Sequence, residues 1–283
     1  MKTVRVGVIG FGNMGKCIVE GLLRYGNIAA KNIFVYRRNQ EKLFSDCKAL
    51  GVNPCKEAKE VVKQADLIVL AVNPGQMETV LKEIESEAKG KTFVSIMASK
   101  VLLDFDQYLS HPKDFHVVIS IPNTPIKVGE GILITSKKHR LNKREYEMFK
   151  DTFSKIALIQ EVEEEMLSVY ETIAGCSPAF VFMMMQAMSD SATAYGIPRD
   201  ENYPLIAKMV LGSAKLMLET RKHPCVLKEE VASPKGTTIK GIIALEKKGF
   251  NGSIQDAYEA IFQKKQIQSL LHKGLLRSAI FFC

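Results

Sequence analysis

Three glycines at fixed spacing near the start of the chain constrain its fold more than any other feature. Gly10, Gly12 and Gly15 follow the β-rich segment 4–9 and open a segment whose apolar residues recur at helical spacing. In a βαβ unit the first such glycine makes a tight turn, the second admits a pyrophosphate, and the third lets helix and strand pack closely. The motif therefore predicts dinucleotide binding; a glycine turn in an unrelated βαβ unit is the alternative. The residues expected around the dinucleotide are Gly10, Phe11, Gly12, Asn13, Met14 and Gly15.

The end of the second predicted strand indicates which dinucleotide binds. An NAD enzyme usually places Asp or Glu there to accept hydrogen bonds from the ribose 2′-hydroxyl. This chain has no acid at that point and has Arg37 and Arg38 instead. Guanidinium groups pair well with a 2′-phosphate, so NADP(H) is the favoured cofactor and NAD(H) the second choice. The competing interpretation is a pair of surface arginines on a βα turn.

The order of apolar patterns along the chain predicts two domains. Short β-rich runs alternate with helical patterns as far as residue 159, which is typical of βαβ units on a parallel sheet. The predicted strands are 4–9, 33–36, 67–72, 93–97, 117–121, 131–135 and 156–159, with a helix over 143–153. The later predicted elements are all helices, over 166–174, 178–195, 199–220, 236–247 and 254–271. We therefore expect an α/β fold, with a Rossmann-type domain over 1–162 followed by an all-α domain over 163–283.

Composition and charge limit the classes of function. The net charge of +8 would suit a nucleic-acid-binding protein, but the lysines are scattered and no basic run is interleaved with aromatic residues. We interpret the densest basic stretch, 137–144, as a solvated connection. No apolar run approaches the roughly 18 residues of a membrane helix, and the first strand begins too early for a signal peptide. The six cysteines lack the spacing of a zinc site, so we expect reduced thiols, a cytoplasmic protein and no metal.

A second glycine-containing loop, 233–238, has the pattern of an anion site at a helix start. Pro234 stiffens its entry, Gly236 lets the backbone approach a ligand, and Thr237 and Thr238 supply hydroxyl and N–H groups. A helix start of this kind can hold a carboxylate or a phosphate. An ordinary capped helix is the alternative. The dinucleotide motif in the same chain favours the ligand site.

The helical part of the chain contains a very apolar stretch at 179–185, with three consecutive methionines. A helix that is apolar on all sides is normally buried. The stretch is too apolar for one side of a helix in a small domain. We therefore expect a subunit interface there, and a homo-oligomer.

Together these motifs resemble the pyrroline-5-carboxylate reductase family, whose members make proline by reducing a cyclic imine with NAD(P)H. The resemblance extends from residue 4 to about residue 271. The segments that carry it are 10–15, 71–75, 121–125, 175–180, 211–216, 223–224, 233–238, 244–246 and 249–250.

The resemblance implies an assembly and a reaction. Members of the family combine a nucleotide-binding domain with a helical domain that builds an interlocked dimer, often assembled into pentamers of dimers. Their active site lies between the cofactor domain and the helical domains of the dimer. For this chain the resemblance implies an oxidoreductase that acts on a CH–NH group in the last step of proline biosynthesis. The implied partners are the imine and further copies of the chain, up to a decamer, with no nucleic acid and no membrane.

The resemblance also implies roles for individual residues. Further cofactor-binding residues would be Val72, Asn73, Pro74, Met97, Ala98 and Asn123. The substrate-binding residues would be Glu164, Ser233, Gly236, Thr237 and Thr238. Reduction of a C=N bond needs positioning, charge complementarity and a hydrogen-bond donor near nitrogen. We assign the role of that catalytic donor to Thr238.

Three residues depart from the family pattern and motivate a second hypothesis. Asn73 stands where the family usually has Lys, Ser99 ends a segment that usually reads Ala-Ala-Gly, and Lys235 replaces a usual Gly. Cys176 stands where Ser is common and is nearly isosteric with it. The second hypothesis is a catalytically impaired paralogue that binds the cofactor or acts as a regulatory protein.

A third hypothesis, a β-hydroxyacid dehydrogenase, would share the glycine loop. That family needs a catalytic Lys followed four residues later by Asn on a helix. In this chain Lys208 and Lys215 are followed at that spacing by Gly212 and Glu219. The sequence therefore disfavours this hypothesis.

Overall fold

The computed structural model describes residues 4–272, and its internal contacts divide the chain into two compact units. Unit 1 covers Met1–Gly175 and unit 2 covers Cys176–Cys283. The boundary expected between a Rossmann-type domain over 1–162 and an all-α domain over 163–283 stays a prediction.

Unit 1 contains one eight-stranded sheet. Its strands are β1 Val6–Ile9, β2 Ile33–Tyr36, β3 Asn53–Pro54, β4 Leu67–Leu70, β5 Thr92–Ser95, β6 His116–Pro122, β7 Gly131–Ser136 and β8 Ala157–Val162. The order across the sheet is β3-β2-β1-β4-β5-β6-β7-β8. The first six strands are parallel to one another, β7 runs antiparallel to β6, and β8 runs parallel to β7. The order of the first six strands is that of a doubly wound dinucleotide-binding sheet, which confirms the expected fold class.

Two features of the sheet differ from the expectation of seven parallel strands. β3 has only two residues, so no apolar run in the sequence marks it. β7 reverses direction because only a short 3-10 turn, Thr124–Val128, joins it to β6. A crossover between parallel strands needs a dozen or more residues, so this connection permits only an antiparallel neighbour.

Helices cover both faces of the sheet. Those of unit 1 are α1 Asn13–Arg24, α2 Gln40–Leu50, α3 Ala58–Gln64, α4 Met77–Ile84, α5 Leu102–Asp106, α6 Lys143–Phe153 and α7 Leu167–Glu171. Residues of β4 alternate between two apolar clusters, with Ile68 and Leu70 in one and Leu67 and Val69 in the other. Since successive side chains of a strand point to opposite faces, the core has one layer on each side of the sheet.

A capping box formed by Asn142 and Glu145 begins α6. The Asn142 side chain accepts a hydrogen bond from Glu145 N at 3.0 Å, and the Glu145 carboxylate accepts one from Asn142 N at 2.9 Å. The same carboxylate lies 2.8 Å from His116 Nδ1 at the start of β6. This capping box fixes the beginning of the helix where the sequence predicts it.

Unit 2 consists of helices, as expected from the sequence. They are α8 Ser177–Ala194, α9 Arg199–Thr220, α10 Pro224–Glu230, α11 Thr237–Lys247 and α12 Phe250–His272. A π-helical turn, Thr172–Cys176, precedes α8. The sequence interpretation missed α10 because its seven residues follow a His-Pro break and are too few for a clear apolar period.

Many large apolar side chains of unit 2 are exposed in the single chain. The exposed fraction is 64% for Phe182, 71% for Met183 and 77% for Leu218. The buried residue of α8 is Ser189, which is polar. Large apolar side chains exposed in such number within one unit are typical of an interaction surface.

The helical stretch Glu164–Ala194 is long and apolar enough to cross a membrane by length and composition alone. The stretch is not one unbroken apolar run, because charged and polar residues interrupt it, so the expectation from apolar runs did not include it. Only 11% of its most apolar window is buried inside the chain. Length and composition do not distinguish a membrane span from a helix that is covered by another subunit.

The described cysteines are free thiols in different surroundings. Cys17, Cys47 and Cys55 are buried in unit 1, whereas Cys176 is half-buried and Cys225 is exposed. Burial is the main cause that raises the pKa of Cys47 to about 11 and that of Cys55 to about 12. Cys283 lies outside the described residues.

At pH 8 we expect Cys47 and Cys55 of the native protein to resist a short pulse of iodoacetamide. Both thiols are buried and their raised pKa values keep them protonated, whereas the thiolate is the reactive form. Peptide mass spectrometry measures the labelling, and protein unfolded in guanidinium chloride is the positive control. Rapid labelling of either residue in the native protein would contradict its position in the core.

Candidate active site

The turn between β1 and α1 requires glycine at two positions. Gly10 has φ +101°, and a Cβ atom there would lie 2.5 Å from the carbonyl carbon and oxygen of Ala71. A Cβ atom at Gly15 would lie 2.5 Å from Gly10 O. The N–H groups of Gly10 and Phe11 donate to Tyr36 O at 2.9 and 3.0 Å. The end of β1 is therefore fixed, backbone against backbone, to the ends of β2 and β4.

The start of α1 is open to a ligand. Apart from Gly12 and its two chain neighbours, no described residue has an atom within 4 Å of the position that a Cβ would take at Gly12, the N-cap of the helix. Gly12 offers no side chain to cap α1, so the first N–H groups, from Asn13 to Gly15, can donate to a phosphate. The Phe11 side chain is fully buried, so only its backbone faces this space. These features fit the pyrophosphate of a dinucleotide.

A cavity of about 690 Å³ lies at the carboxyl ends of β1, β2 and β4. Doubly wound sheets bind their ligands at this edge. The predicted cofactor residues that line the cavity are Gly10, Phe11, Gly12, Arg37, Arg38, Val72 and Asn73. Eight further residues line the cavity and were not predicted from the sequence: Tyr36, Asn39, Ala71, Gly75, Gln76, Thr79, Val80 and Glu83. Most of them follow the ends of β2 and β4, so the position of strand ends was the signal that could have found them.

The remaining predicted cofactor residues lie outside this cavity. They are Asn13, Met14 and Gly15 in the first turn of α1, Pro74 after β4, Met97 and Ala98 after β5, and Asn123 after β6. Met97 is buried in the core, whereas Ala98 is exposed. The Asn123 amide donates to Ala174 O at 3.0 Å and accepts from Ile132 N at 2.8 Å. Its side chain therefore holds two segments of unit 1 together.

Two of the residues that depart from the family pattern have local structural roles. Asn73 caps the 3-10 turn Pro74–Gln76, because its Oδ1 accepts a hydrogen bond from Gly75 N at 3.0 Å. Ser99 has φ +60°, the left-handed conformation that glycine adopts most readily. Ser99 thus occupies the backbone conformation expected where the family usually has glycine.

Arg37 and Arg38 both line the cavity, with different partners. Arg37 Nη1 lies 2.9 Å from Asp46 Oδ2, and Lys16 forms an ion pair with the same carboxylate. Arg38 faces the Gln76 amide. When the amide is oriented with its oxygen toward the guanidinium group, Arg38 Nε and Nη1 donate hydrogen bonds to that oxygen at 3.1 and 3.0 Å. Two guanidinium groups and no acid at the end of β2 fit a phosphorylated ribose.

The second predicted site lies at the start of α11 in unit 2. Gly236 is the N-cap of the helix and makes no side-chain capping hydrogen bond, while its N–H donates to Ser233 O at 3.0 Å. A Cβ atom at Gly236 would lie 2.5 Å from Ser233 Oγ and 3.0 Å from Ser233 O, so a larger residue there would make the Ser233 side chain move. Thr237 and Thr238 are exposed in the first turn of α11. The structure therefore presents free N–H groups and two hydroxyl groups to an anion.

Lys235 has φ +62°. A left-handed conformation costs a residue with a Cβ about 1–2 kcal/mol. Lys235 is exposed, so its ammonium group adds positive charge beside the loop without filling it.

Within unit 1, Glu164 lies far from the loop 10–15 that follows β1. It follows β8, the edge strand, and Lys138 Nζ lies 3.8 Å from its Oε1. Its Oε2 is buried and has no hydrogen-bond partner among the described residues. In the sheet, β8 is five strand spacings from β1, so β8 lies about 24 Å, measured across the strands, from the strand that leads into the loop 10–15. The structure does not bring Glu164 together with the cavity residues.

Comparison with known protein families matches both parts of the chain. Residues 5–99 match a family described as "NADP oxidoreductase coenzyme F420-dependent". Residues 164–267 match a family described as "Pyrroline-5-carboxylate reductase dimerisation". The first match covers the sheet edge with the cavity, and the second covers the loop at the start of α11.

Individual relatives match almost the whole chain. The pyrroline-5-carboxylate reductase of Treponema pallidum is 34% identical over 91% of this chain and 98% of its own. That of Escherichia coli is 35% identical over 93% of this chain and 97% of its own. A solved pyrroline carboxylate reductase of Plasmodium falciparum with NADP bound has TM-score 0.81 and 26% identity, covering 93% of this chain and 97% of its own. On these grounds the chain belongs to the pyrroline-5-carboxylate reductase family.

Proposed function

We propose that the protein reduces 1-pyrroline-5-carboxylate to L-proline with NAD(P)H, the last step of proline biosynthesis. The observation that carries the proposal is the identity of 34–35% to curated reductases of that name, extending over both units. The open helix start beside the cavity of unit 1 and the open helix start in unit 2 supply two anion sites, as a dinucleotide and a carboxylate require. No observation favours the impaired paralogue.

The cofactor supplies the hydride from C4 of its nicotinamide, and the chain's residues hold it in place. In our proposal the N–H groups from Asn13 to Gly15 bind the pyrophosphate, and an arginine after β2 binds a 2′-phosphate. NADPH is therefore the preferred cofactor, and NADH binds more weakly. The other predicted cofactor residues, including Pro74, Met97, Ala98 and Asn123, support the nicotinamide half in this proposal.

The loop at the start of α11 holds the imine. Ser233, Gly236, Thr237 and Thr238 are proposed to bind its carboxylate and ring nitrogen through hydroxyl and N–H groups. The carbon of the C=N bond, which becomes C5 of proline, gains the hydride, and the nitrogen ends with a proton. The Thr238 hydroxyl is proposed to donate a hydrogen bond to that nitrogen and fix its orientation. Glu164 is retained as a proposed substrate residue from the family resemblance alone.

A steady-state assay tests the proposed reaction. NADPH oxidation is followed optically after the imine is added to purified protein. An active reductase should turn over at about 1 per second or faster, in the usual range for enzymes. Turnover below about 0.1 per second with both NADPH and NADH would favour the impaired paralogue over the reductase.

Thr238→Ala should lower kcat/KM for the imine about 10- to 100-fold, the effect of losing one hydrogen bond to a charged group. Thr238→Ser keeps the hydroxyl and should retain most of the activity. Binding of 2′,5′-ADP, which needs only the cofactor cavity, should be the same in both variants. If the alanine variant keeps the rate and the KM of the parent, Thr238 is not the donor.

Lys235→Gly should raise the free energy of unfolding by about 0.5–1 kcal/mol, because relief of the left-handed strain, about 1–2 kcal/mol, exceeds the cost of about 0.4–1 kcal/mol that the greater freedom of glycine in the unfolded chain imposes. The matched variant Lys235→Ala keeps the Cβ atom and should not be stabilised. Both variants lose the positive charge, so both should raise the KM for the imine. Urea unfolding and steady-state kinetics measure the two effects, and equal stability of the glycine and alanine variants would rule out strain at this position.

The protein forms homo-oligomers through the exposed apolar surface of unit 2. This follows from the dimerisation family matched at 164–267 and from exposed side chains such as Phe182 and Met183. The same surface accounts for the apolar stretch Glu164–Ala194 without a membrane. Assembly of dimers into a decamer is a further proposal that rests on the family resemblance.

Mass photometry should therefore show particles of at least twice the 31.6 kDa chain mass. Met183→Glu should shift these particles toward the monomer, because it places a charge in the apolar surface of α8. Phe44→Glu changes a 51% exposed side chain on α2 and is the matched control, with no expected shift. A monomer at all concentrations up to the micromolar range would contradict the interface.

A cytoplasmic location without nucleic-acid binding is also part of the proposal. Within the basic stretch 137–144, Lys137 pairs with Glu163 and Arg140 pairs with Asp106. Cations that are paired with carboxylates offer little net charge to a phosphate backbone. This supports the interpretation of the stretch as a solvated connection.

A further inference from the structure

We propose that Arg38, rather than Arg37, binds the 2′-phosphate of NADPH, and that Gln76 and Asp46 determine this division between the two guanidinium groups. The inference rests on the proposed function, since it concerns the cofactor cavity of the reductase. It differs from the sequence interpretation, in which both arginines share the phosphate.

Arg37 is already paired with a carboxylate. Its Nη1 lies 2.9 Å from Asp46 Oδ2, and the two side chains are only 23% and 25% exposed. Lys16 contacts the same carboxylate, and Gln40 Nε2 donates to Arg37 O at 2.8 Å. A phosphate that approaches Arg37 also approaches the negative charge of Asp46, which opposes it. Arg37 therefore connects the end of β2 to α1 and α2.

Arg38 keeps its charge without a carboxylate partner. Among the residues that the structure describes, it forms no ion pair. It faces the neutral Gln76 amide, and with the amide oxygen turned toward the guanidinium group, Arg38 Nη1 and Nε donate to that oxygen at 3.0 and 3.1 Å. Glu83 also lines the cavity, but its Oε1 accepts a hydrogen bond from Ala58 N at 2.8 Å. A guanidinium group with full charge and a fixed plane suits bidentate binding of a phosphate. Arg38 is therefore the stronger anion site of the two.

Gln76 acts as a positioning residue for Arg38. Its amide can present oxygen to the guanidinium group in the free protein and, after rotation, NH2 to a phosphate oxygen. Gln76 ends the 3-10 turn after β4, whereas Arg38 follows β2, so the pair spans the cavity between two strand ends. A glutamate at position 76 would neutralise Arg38 and could not donate to the phosphate.

Isosteric charge changes at the two partners test the proposal. Gln76→Glu places a carboxylate against Arg38, and Asp46→Asn removes one from Arg37. Titration calorimetry with the cofactor-free protein compares 2′,5′-ADP with 5′-ADP, which lacks the 2′-phosphate. We expect Q76E to weaken 2′,5′-ADP binding about 10- to 100-fold and to leave 5′-ADP within about threefold. D46N should keep or increase the affinity for 2′,5′-ADP.

Substitution of the arginines gives the second comparison. Arg38→Gln should weaken 2′,5′-ADP binding as much as Q76E, while Arg37→Gln should change it by less than about threefold. The control Gln64→Glu makes the same charge change on an exposed residue at the end of α3, before the amino-terminal end of β4. It should leave the affinities for both nucleotides unchanged.

Three results would overturn the proposal. The first is a larger loss of 2′,5′-ADP affinity in R37Q than in R38Q. The second is an affinity of Q76E for 2′,5′-ADP equal to that of the parent protein. The third is a loss of 2′,5′-ADP affinity in D46N as large as the loss expected for Q76E. Each concerns nucleotide binding to the free protein. Failure of the proposed function would look different, because the unmodified protein would then not oxidise NADPH when the imine is added.

Discussion

The contact between the backbone of Gly10 and the backbone that follows β4 determines how the cofactor half of the protein is built. A Cβ atom at Gly10 would lie 2.5 Å from Ala71 and 2.7 Å from Val72 N, and one at Gly15 would lie 2.5 Å from Gly10 O. With no side chains between them, β1, β4 and the start of α1 meet at backbone distance. The free N–H groups of α1 are thereby brought to the edge of the sheet where the cavity lies.

Asn73, Ser99 and Lys235 depart from the family pattern, and the local structure at each position shows how the chain accommodates them. Ser99 and Lys235 both have positive φ, at +60° and +62°, where the family pattern has glycine. Asn73 uses its side chain to cap the turn that it begins. Two of the three positions therefore carry a local conformational cost, and the third makes a local hydrogen bond.

The sequence predicted the elements whose signals are local and missed those that depend on tertiary structure. The glycine motif and the apolar period identified α1, the strands beside it and the helical second half. The two-residue β3 and the seven-residue α10 carry too few residues for a period. The partners of the arginines, Asp46 and Gln76, could not be predicted, because α2 and the turn after β4 meet Arg37 and Arg38 only in the folded sheet.

Transfer of deuterium from cofactor to product tests the central claim most directly. NADPH that carries deuterium at both C4 positions of the nicotinamide is incubated with the protein and 1-pyrroline-5-carboxylate, and the product is analysed by mass spectrometry and NMR. A reductase that holds both ligands as described should produce L-proline with one deuterium at C5, in step with NADPH consumption. Unlabelled proline, or NADPH consumption without proline, would contradict direct hydride transfer to the imine.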